Sequence, residues 1–444
     1  MAGQASVRLA PPGVTDLLSV HEAFPDRYPH LLISDGAAST ARFDILFAYP
    51  ASPGILPAGA SREDCARFLA TLDDTVAPRT SPRASHPELP FLYGHFLFLS
   101  YELMGAFETR LVLSPPKDVP LAWVQRFDGA LLCERATRRI YMTGRSNAVV
   151  DAIADDLTRI NARPASLVAP IPFITEDAPE DYVARVRTVQ HYIQAGDIFQ
   201  ANLSRGYEAS VAPGTSAAAI LRALRIHNPA PFSALARLGD TTIISASPER
   251  LLRTQGERIA TYPIAGTVPR GWDTKTDAAA CETLRHDPKE RAEHVMLVDL
   301  ERNDLGRVCA PGSIRVTQFM QIESYATVHH LVSEIQGILP PEVTPSRLIA
   351  SLFPGGSITG CPKVRCMEIL AQEEGGPRGA YTGSLGYIND VGDMDLNILI
   401  RTFVLQDQHL RWRVGAGIVA DSDADRELTE TRAKAAGLLR ALGL

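Results

Sequence analysis

Apolar side chains recur at helical spacing in the segment that follows Pro179. Positions three or four residues apart lie on one face of an α-helix, so this spacing indicates a helix packed on a core. Asp177 is suited to cap the start of the helix, Pro179 to its first turn and Gly196 to its end. The core-facing residues are Tyr182, Val183, Val186, Val189, Tyr192 and Ile193.

Strand-like and helical segments are interspersed along the rest of the chain. Strands are predicted at Phe43–Tyr49, Phe91–Tyr101, Ala201–Tyr207, Ser233–Leu238, Thr242–Ser245, Arg258–Tyr262, Tyr381–Ile388, Met394–Val404 and Leu410–Val414. Further helices are predicted at Lys289–Asn303, Ser346–Leu352, Lys363–Gln372 and Asp423–Leu442. Strands often follow strands through short turns, as at Gly239–Asp240. This order favours a mixed, largely antiparallel α/β layer structure over a doubly wound sheet.

Two Pro-rich stretches divide the chain of 444 residues. Ala77–Pro90 is typical of an exposed loop, and Asn161–Pro179 is typical of a connection between two regions. We therefore expect an N-terminal region over residues 1–165 and a C-terminal region over residues 175–444.

The composition narrows the class of protein without identifying it. Hydrophobic residues make up 45% and charged residues 21%, as in ordinary globular proteins. The net charge of −7, with no long basic run, argues against nucleic-acid binding. The chain start does not resemble a signal peptide, and no apolar run approaches the roughly 20 residues of a membrane span. Six scattered cysteines without CxxC spacing favour a reduced, cytoplasmic protein.

Two pairs of glutamates fall on separate predicted helices. Glu290 and Glu293 share one helix face, and Glu427 and Glu430 share another. Two carboxylate pairs that face each other would form a hard-oxygen Mg²⁺ site able to hold an anionic ligand. On their own they equally fit a solvated face of salt bridges. Lys434 follows Glu430 by four residues and lies on the same side of its helix.

Other candidates are a glycine-rich turn, a histidine pair and an acid after a strand. The turn at 353–363, FPGGSITGCPK, ends at a predicted helix start and suits an anion, with a plain structural turn as the alternative. His329 and His330 are adjacent, so at most one faces a given site from a strand. Burial of Glu249 would raise its pKa enough for general-acid catalysis, whereas a salt bridge to Arg250 is the alternative. These residues alone leave the reaction open.

The conjunction of these segments resembles the chorismate-utilising enzyme family. The resemblance runs from about Asp177 to the C-terminus, in the family's order. Its motifs are FQANLS at Phe199, SPER at Ser247, PIAGT at Pro263, the Lys289–Asn303 helix, VHHLVS at Val328, FPGGSITGCPKVRCMEI at Phe353, YTGSLGY at Tyr381, Ile400–Thr402 and GAGIVADS at Gly415. The resemblance implies two stacked, mostly antiparallel β-sheets flanked by helices, with an active site in the C-terminal region.

The resemblance also implies roles for the matching residues. Glu293 and Glu430 would bind Mg²⁺ directly, and Glu290 and Glu427 would support them. Glu249 would protonate the departing C4 hydroxyl of chorismate while a nucleophile adds at C2. The residues implied to bind the substrate's carboxylates are Tyr381, Arg401, Lys434, Gly415, Ala416 and Gly417, and those implied to line its ring are Thr267, His330 and Ser357.

Gln200 distinguishes between the reactions of the family. Hydroxylating members carry a lysine base at this position, so the resemblance implies amination by ammonia. The chain shows no glutaminase signature of a nucleophilic Cys with a downstream His. Ammonia is therefore expected from a separate glutamine amidotransferase.

Two aminating branches are compatible with the motifs. NPAPFSAL at Asn228, SITGCPKVR at Ser357 and ARFDIL at Ala41 resemble aminodeoxychorismate synthases of the folate pathway, and this is the main hypothesis. Many of those enzymes carry a lysine nucleophile where this chain has Ala265, which removes the covalent route through that residue. Anthranilate synthases of the tryptophan pathway also have alanine there and are the alternative.

The N-terminal region of family members forms a tryptophan pocket. Anthranilate synthases usually show an LLES-like segment, where this chain has LLIS at Leu31–Ser34, so we expect no strong tryptophan feedback. A third hypothesis is a non-catalytic paralogue that holds chorismate or tryptophan. The presence of Glu249, Glu293 and Glu430 argues against it.

Overall fold

The structure is a computed structural model that describes residues 5–13, 16–35, 42–76, 86–160, 168, 171, 174–325 and 328–444. Most of the predicted loop at Ala77–Pro90 lies outside these residues. The same holds for most of the predicted connection at Asn161–Pro179 up to residue 173, and for Ala41.

The described residues form helices and strands that alternate along the chain. The α-helices are α1 (Leu17–Ala23), α2 (Arg62–Thr75), α3 (Met104–Phe107), α4 (Asn147–Thr158), α5 (Pro179–Gln194), α6 (Ala217–His227), α7 (Thr274–His286), α8 (Pro288–Gly306), α9 (Pro345–Leu352), α10 (Lys363–Glu373) and α11 (Ala424–Ala441). The strands are β1 (Ser6–Leu9), β2 (His30–Ile33), β3 (Phe43–Pro50), β4 (Gly54–Leu56), β5 (Gly94–Leu99), β6 (Ala122–Glu134), β7 (Arg139–Gly144), β8 (Ile174–Glu176), β9 (Gln200–Ser210), β10 (Phe232–Leu238), β11 (Thr241–Ser247), β12 (Arg250–Gln255), β13 (Arg258–Thr261), β14 (Ile264–Pro269), β15 (Arg315–Ser324), β16 (Val328–Ile338), β17 (Gly360–Cys361), β18 (Ser384–Asn389), β19 (Met394–Asn397), β20 (Thr402–Gln406) and β21 (His409–Ile418).

The strands form two antiparallel arms that meet at the long strand β6. One arm runs β6-β3-β2-β10-β11-β20-β21-β9, and the other runs β6-β5-β18-β19-β12-β13-β16. A shared apolar core joins them, in which Phe47 of the first arm packs on Phe96 of the second with ring centroids 5.6 Å apart. The predicted fold of stacked, antiparallel layers flanked by helices is confirmed. Strands of both regions contribute, since β2 pairs with β10 and β5 with β18.

Helices cover the outer faces of the two arms. Helices α1, α4, α6 and α11 pack their apolar faces on the first arm, and α2, α8 and α9 pack on the second. Helices α5 and α10 pack against β9 and β21, where Tyr182, Val186 and Val189 of α5 are buried as the apolar spacing predicts. No helix of the described chain is long and apolar enough to cross a membrane.

The structure differs from the prediction at one helix start and in three strands. The strand predicted at Phe91–Tyr101 covers only Gly94–Leu99. Asp177 does not cap α5; Ala178 occupies the N-cap position, and the Asp177 carboxylate accepts from the Gly206 amide at 2.8 Å instead. The strand predicted from Tyr381 begins only at Ser384, and the one predicted at Met394–Val404 is interrupted at 398–401. Thr382 and Arg401 have φ of 60° and 52°, and this left-handed backbone ends an extended strand.

Candidate active site

Glu249 connects β11 to β12 and is buried. The Ser357 hydroxyl donates to its Oε1 at 2.5 Å. Burial raises the pKa of Glu249 to about 7, although Ser357 and the positive charges of Arg401 and Lys434 oppose the rise. A carboxyl group with this pKa still carries its proton near neutral pH and can donate it.

Arg401 places an uncommitted positive charge next to Glu249. Its guanidinium lies deep in the protein but keeps part of its surface open, and it has no hydrogen-bond or ion-pair partner within the described chain. Arg250, the alternative partner of Glu249, instead pairs with Asp395 at 2.8 Å. A guanidinium left unpaired at depth is costly unless an anion binds it, so Arg401 is suited to hold a carboxylate.

Thr267 and His330 lie opposite each other on β14 and β16. The Thr267 hydroxyl and His330 Nδ1 share a hydrogen bond of 2.9 Å. Burial, and then the charge of Arg401, lower the pKa of His330 to about 4, so the imidazole is neutral. His329 points the other way, with its Nε2 2.9 Å from Asp277 Oδ1, as expected for neighbours on a strand.

The glutamates of α8 and α11 influence each other across the two helices. The pKa of Glu290 is raised by burial, by the neighbouring Glu293 and, from the other helix, by Glu430. Gly266, with φ of 66°, lets Glu290 approach, because a Cβ at this position would lie 3.0 Å from Glu290 Oε2. The two carboxylate pairs, each on one face of its helix, are therefore close enough to act on one another.

A cation suits this carboxylate group. Burial and the charge of Glu430 raise the pKa of Glu427, and Glu427 Oε2 is buried without a hydrogen-bond partner. No three His, Cys, Asp or Glu side chains of the described residues are already gathered as ligands. Mg²⁺ commonly takes only one or two carboxylates and completes its shell with water and substrate oxygens, so this donor set fits Mg²⁺.

Gln200 on β9 approaches the same carboxylates. Its Nε2 donates to Glu293 Oε1 at 2.8 Å, and its Oε1 is buried without a partner. Gly417 on β21 provides the space, because a Cβ there would lie 2.6 Å from Gln200 Nε2. Ala416 points to the opposite face of β21 and packs in the apolar core beneath, so only its backbone can reach the site.

Tyr381 and Lys434 close the other side of the site over Gly415. The Tyr381 hydroxyl accepts from Asn202 Nδ2 at 3.3 Å, and a Cβ at Gly415 would lie 2.5 Å from this hydroxyl. Lys434 Nζ donates to the Gly415 carbonyl at 3.1 Å and pairs with Glu430 Oε1 at 2.8 Å. Lys434 therefore links the carboxylate group to the Tyr381 side of the site.

Asn202 and Arg378, which were not predicted as site residues, support the site. Asn202 follows Gln200 by two positions, and this strand periodicity was an available signal that both face the same way. Arg378 is buried and pairs with Glu374 at 2.7 Å, and its guanidinium also lies 5.5 Å from the Tyr381 ring. A basic residue in a Gly- and Pro-rich segment is typical of an exposed loop, so no local pattern identifies it.

The predicted tryptophan region borders a separate cavity. Leu32, Ile33 and Ser34 line a cavity of about 310 Å³ together with Phe232 and residues of β12, β18 and β19. The expectation of weak tryptophan feedback stays a prediction.

Comparisons with known proteins agree on the family. The family model of the chorismate binding enzymes matches residues 38–440, so the match extends further into the N-terminal region than the motifs do. An anthranilate synthase component I-like protein of Synechocystis sp. is 39% identical over 357 residues, which cover 80% of this chain and 73% of that protein. Aminodeoxychorismate synthase component 1 of Klebsiella aerogenes is 36% identical over 428 residues, 93% of each chain.

Among solved structures, anthranilate synthase component I from Streptococcus pneumoniae superposes with a TM-score of 0.79 at 31% identity. The superposition covers 91% of this chain and 93% of that one. With a family model that matches most of its length and these relatives, the chain belongs to the chorismate binding enzyme family.

Proposed function

We propose that this chain is an aminodeoxychorismate synthase component I, which converts chorismate and ammonia to 4-amino-4-deoxychorismate and water. The observation that carries the proposal is the buried Glu249, held by Ser357 beside the unpaired Arg401. This arrangement offers a proton donor and an anion receptor side by side. The reaction needs both, because a hydroxyl must leave as water from a substrate that carries two carboxylates.

In the proposed mechanism, Arg401 and Tyr381 bind one carboxylate of chorismate, and the backbone from Gly415 to Gly417 lies alongside. Thr267 and the neutral His330 line the ring. Glu249 protonates the C4 hydroxyl as the C4–O bond breaks, so that water rather than hydroxide leaves. Ammonia forms the new C4–N bond and returns one proton to the Glu249 carboxylate. Proton donation by a positioned acid is worth about 10²–10⁴ in rate.

Glu293 and Glu430 would hold Mg²⁺, with Glu290 and Glu427 in support. When bound, Mg²⁺ would neutralise and orient the ring carboxylate of chorismate. The protein's part is to keep these carboxylates close together, and Gly266 and Gly417 allow this by leaving space beside Glu290 and Gln200.

Amination rather than hydroxylation is supported by Gln200. A carboxamide cannot take a proton from water, and its Nε2 is already committed to Glu293. Its free, buried Oε1 is an acceptor for an N–H group. We propose that ammonia comes from a glutamine amidotransferase partner.

Two observations bear on which branch of the family this chain belongs to, and they favour different branches. Alignment along 93% of both chains supports the aminodeoxychorismate synthases. Ala265, buried on β14 opposite Leu331, carries no amine, as in the alternative, anthranilate synthase. In that alternative, chorismate and ammonia are converted to anthranilate, pyruvate and water.

Incubation of the protein with chorismate, Mg²⁺ and an ammonium salt at mildly alkaline pH tests the proposal. The expected product yields p-aminobenzoate only after a separate lyase is added. Fluorescent anthranilate with pyruvate would instead assign the chain to the tryptophan branch. Chorismate binding without turnover would overturn both and support the non-catalytic paralogue.

Ala265→Lys is expected to place an amine beside C2 of chorismate. Mass spectrometry of the intact variant with chorismate should show an adduct of one chorismate less one water. Ala265→Met, which has a similar length but no amine, is the matched control and should show none. A folded lysine variant without an adduct would contradict the position of residue 265 beside C2.

Gly415→Ala is expected to weaken chorismate binding at least tenfold. The added Cβ would lie 2.5 Å from the Tyr381 hydroxyl and 2.9 Å from the Leu203 carbonyl, so the binding groups must shift at a cost of about 1–3 kcal/mol. Gly376→Ala is the control, because a Cβ at Gly376 has no neighbour within 4 Å. Equal calorimetric affinities for the two variants would refute the close packing at Gly415.

A further inference from the structure

The carboxamide of Asn202 has only one orientation that satisfies its neighbours. Asn202 Nδ2 lies 3.2 Å from the Ile358 carbonyl oxygen and 3.3 Å from the Tyr381 hydroxyl, and the residue is buried. A carbonyl oxygen can only accept, so the atom that faces it must be the amide nitrogen. The two amide protons are then assigned, one to Ile358 and the other to Tyr381.

This assignment determines the direction of the Tyr381 proton. Because the hydroxyl oxygen accepts from Asn202, its own proton must point elsewhere, and no described residue accepts it. Burial raises the pKa of Tyr381, so the phenol keeps this proton. The hydroxyl lies over Gly415, whose carbonyl is bound by Lys434. Among the described residues, the Tyr381 hydroxyl is therefore a donor without an acceptor, and it lies on the side of the site that carries the Lys434 ammonium group.

Arg378 keeps this arrangement rigid. Its guanidinium donates to the backbone carbonyl of Asn202 at 2.6 Å and to the backbone carbonyl of Ile358 at 2.9 Å. It also bonds Glu374, which in turn accepts from the Ser204 amide at 2.8 Å. The backbone carbonyls of Asn202 and Ile358 are thus held in place. If the carboxamide turned its oxygen toward Tyr381 and Ile358, that oxygen would face the fixed Ile358 carbonyl and be repelled by it.

We propose that Asn202 is a positioning residue that turns the Tyr381 proton toward a carboxylate of the bound substrate. The identity of that substrate, chorismate, rests on the proposed function. Asn202 acts through Tyr381: without its donated proton, the Tyr381 hydroxyl rotates freely and pays an orientational cost when the anion binds. The Tyr381 hydrogen bond to a charged group itself contributes on the order of tenfold or more in affinity, and the loss of its orientation alone should cost a smaller factor.

Calorimetric titration with chorismate in the presence of Mg²⁺ and without ammonia tests the proposal. Asn202→Ala should raise the dissociation constant several-fold, and Tyr381→Phe should raise it about tenfold or more. In the double variant, the loss should equal that of Tyr381→Phe alone, because Asn202 then has no hydroxyl to orient. Asn389→Ala is the matched control. The Asn389 carboxamide donates to the Pro90 carbonyl at 3.2 Å and not to a residue of the site, so its loss should leave chorismate binding unchanged.

Losses that multiply in the double variant, or an unchanged affinity of Asn202→Ala, would overturn the proposal. If Asn202→Ala does not fold, Asn202→Leu keeps the approximate shape of the side chain and removes the donor without adding a charge. It should weaken binding in the wild-type background and have no further effect beside Tyr381→Phe. A wild-type protein that binds chorismate but does not consume it with ammonia would refute the proposed function while leaving this test intact.

Discussion

Glu249→Gln is expected to lower kcat by about 10²–10⁴-fold while the protein still binds chorismate. Glutamine keeps the shape of the side chain and an oxygen for the Ser357 hydroxyl, which donates at 2.5 Å in the wild type. It loses the proton that would convert the C4 hydroxyl into water. Removal of the acid acts on the transition state rather than on the bound substrate, so the loss belongs in kcat. Steady-state kinetics with a calorimetric affinity separate the two.

Glu301→Gln is the matched control for this variant. Glu301 is also buried, its pKa is also raised to about 7 by burial, and the Thr261 hydroxyl donates to it at 2.6 Å. The same chemical change at the same depth should leave most of the turnover, since Glu301 is close enough to feel the charge of Glu249 but is bound by Thr261 rather than by Ser357. Similar losses of kcat in both variants would show that the loss follows from replacing any buried carboxyl group, and not from removing a catalytic acid.

The pH profile gives an independent measure of the same role. Burial raises the pKa of Glu249 from 4.5 to about 7, so the neutral acid predominates below pH 7 and its fraction falls about tenfold per pH unit above it. At a fixed concentration of free ammonia, kcat should therefore be level below this pKa and fall above it. Glu249→Gln should lack the falling limb. A wild-type rate that stays level well above pH 7 at fixed free ammonia would contradict an acid role.

The fold was predictable wherever local pattern and tertiary packing agree. Helices α5, α8, α9, α10 and α11 carry apolar spacing with helix-start signals, and the structure has them within a few residues of the predicted ends. Helix α7 has a capping residue at its start, Asp273, but only Leu284 of the helix is buried, so it lacks the apolar spacing. The long hairpin of β15 and β16 was not predicted either. The strand interruptions at Thr382 and Arg401 could not be read from local sequence, because neither residue type favours a left-handed backbone.

The site shows a similar division. Gln200, Glu249, Thr267 and His330 could be selected from motifs and strand alternation. These residues lie on or directly beside strands, where alternate side chains point to the same face. Arg378 escaped prediction because its partners, Glu374 and the Asn202 and Ile358 carbonyls, are brought to it only by the fold. Buried interactions of this kind depend on segments that are distant in sequence, so the periodicity of a local segment does not predict them.

Glu430→Gln is expected to lower turnover by a hundredfold or more at low Mg²⁺ and to raise the Mg²⁺ concentration needed for half-maximal rate. Loss of groups that merely support metal ligands commonly costs about 10–100-fold, and a direct ligand should cost at least as much. The fold should persist, because half of the Glu430 side chain is exposed and its pair with Lys434 is a surface ion pair worth about 1 kcal/mol or less.

The Mg²⁺ dependence separates the metal from the ion pair that the same substitution breaks. Glu430→Gln also releases Lys434, which lies 2.8 Å from the carboxylate in the wild type. If the released lysine caused the loss, turnover would fall equally at every Mg²⁺ concentration. If Glu430 is a ligand, added Mg²⁺ should restore part of the rate. Asp425→Asn, at an exposed carboxylate five residues earlier on α11, controls for the helix and should leave the Mg²⁺ titration unchanged. An unaltered Mg²⁺ titration of Glu430→Gln would place the metal elsewhere, because loss of a ligand carboxylate must weaken Mg²⁺ binding.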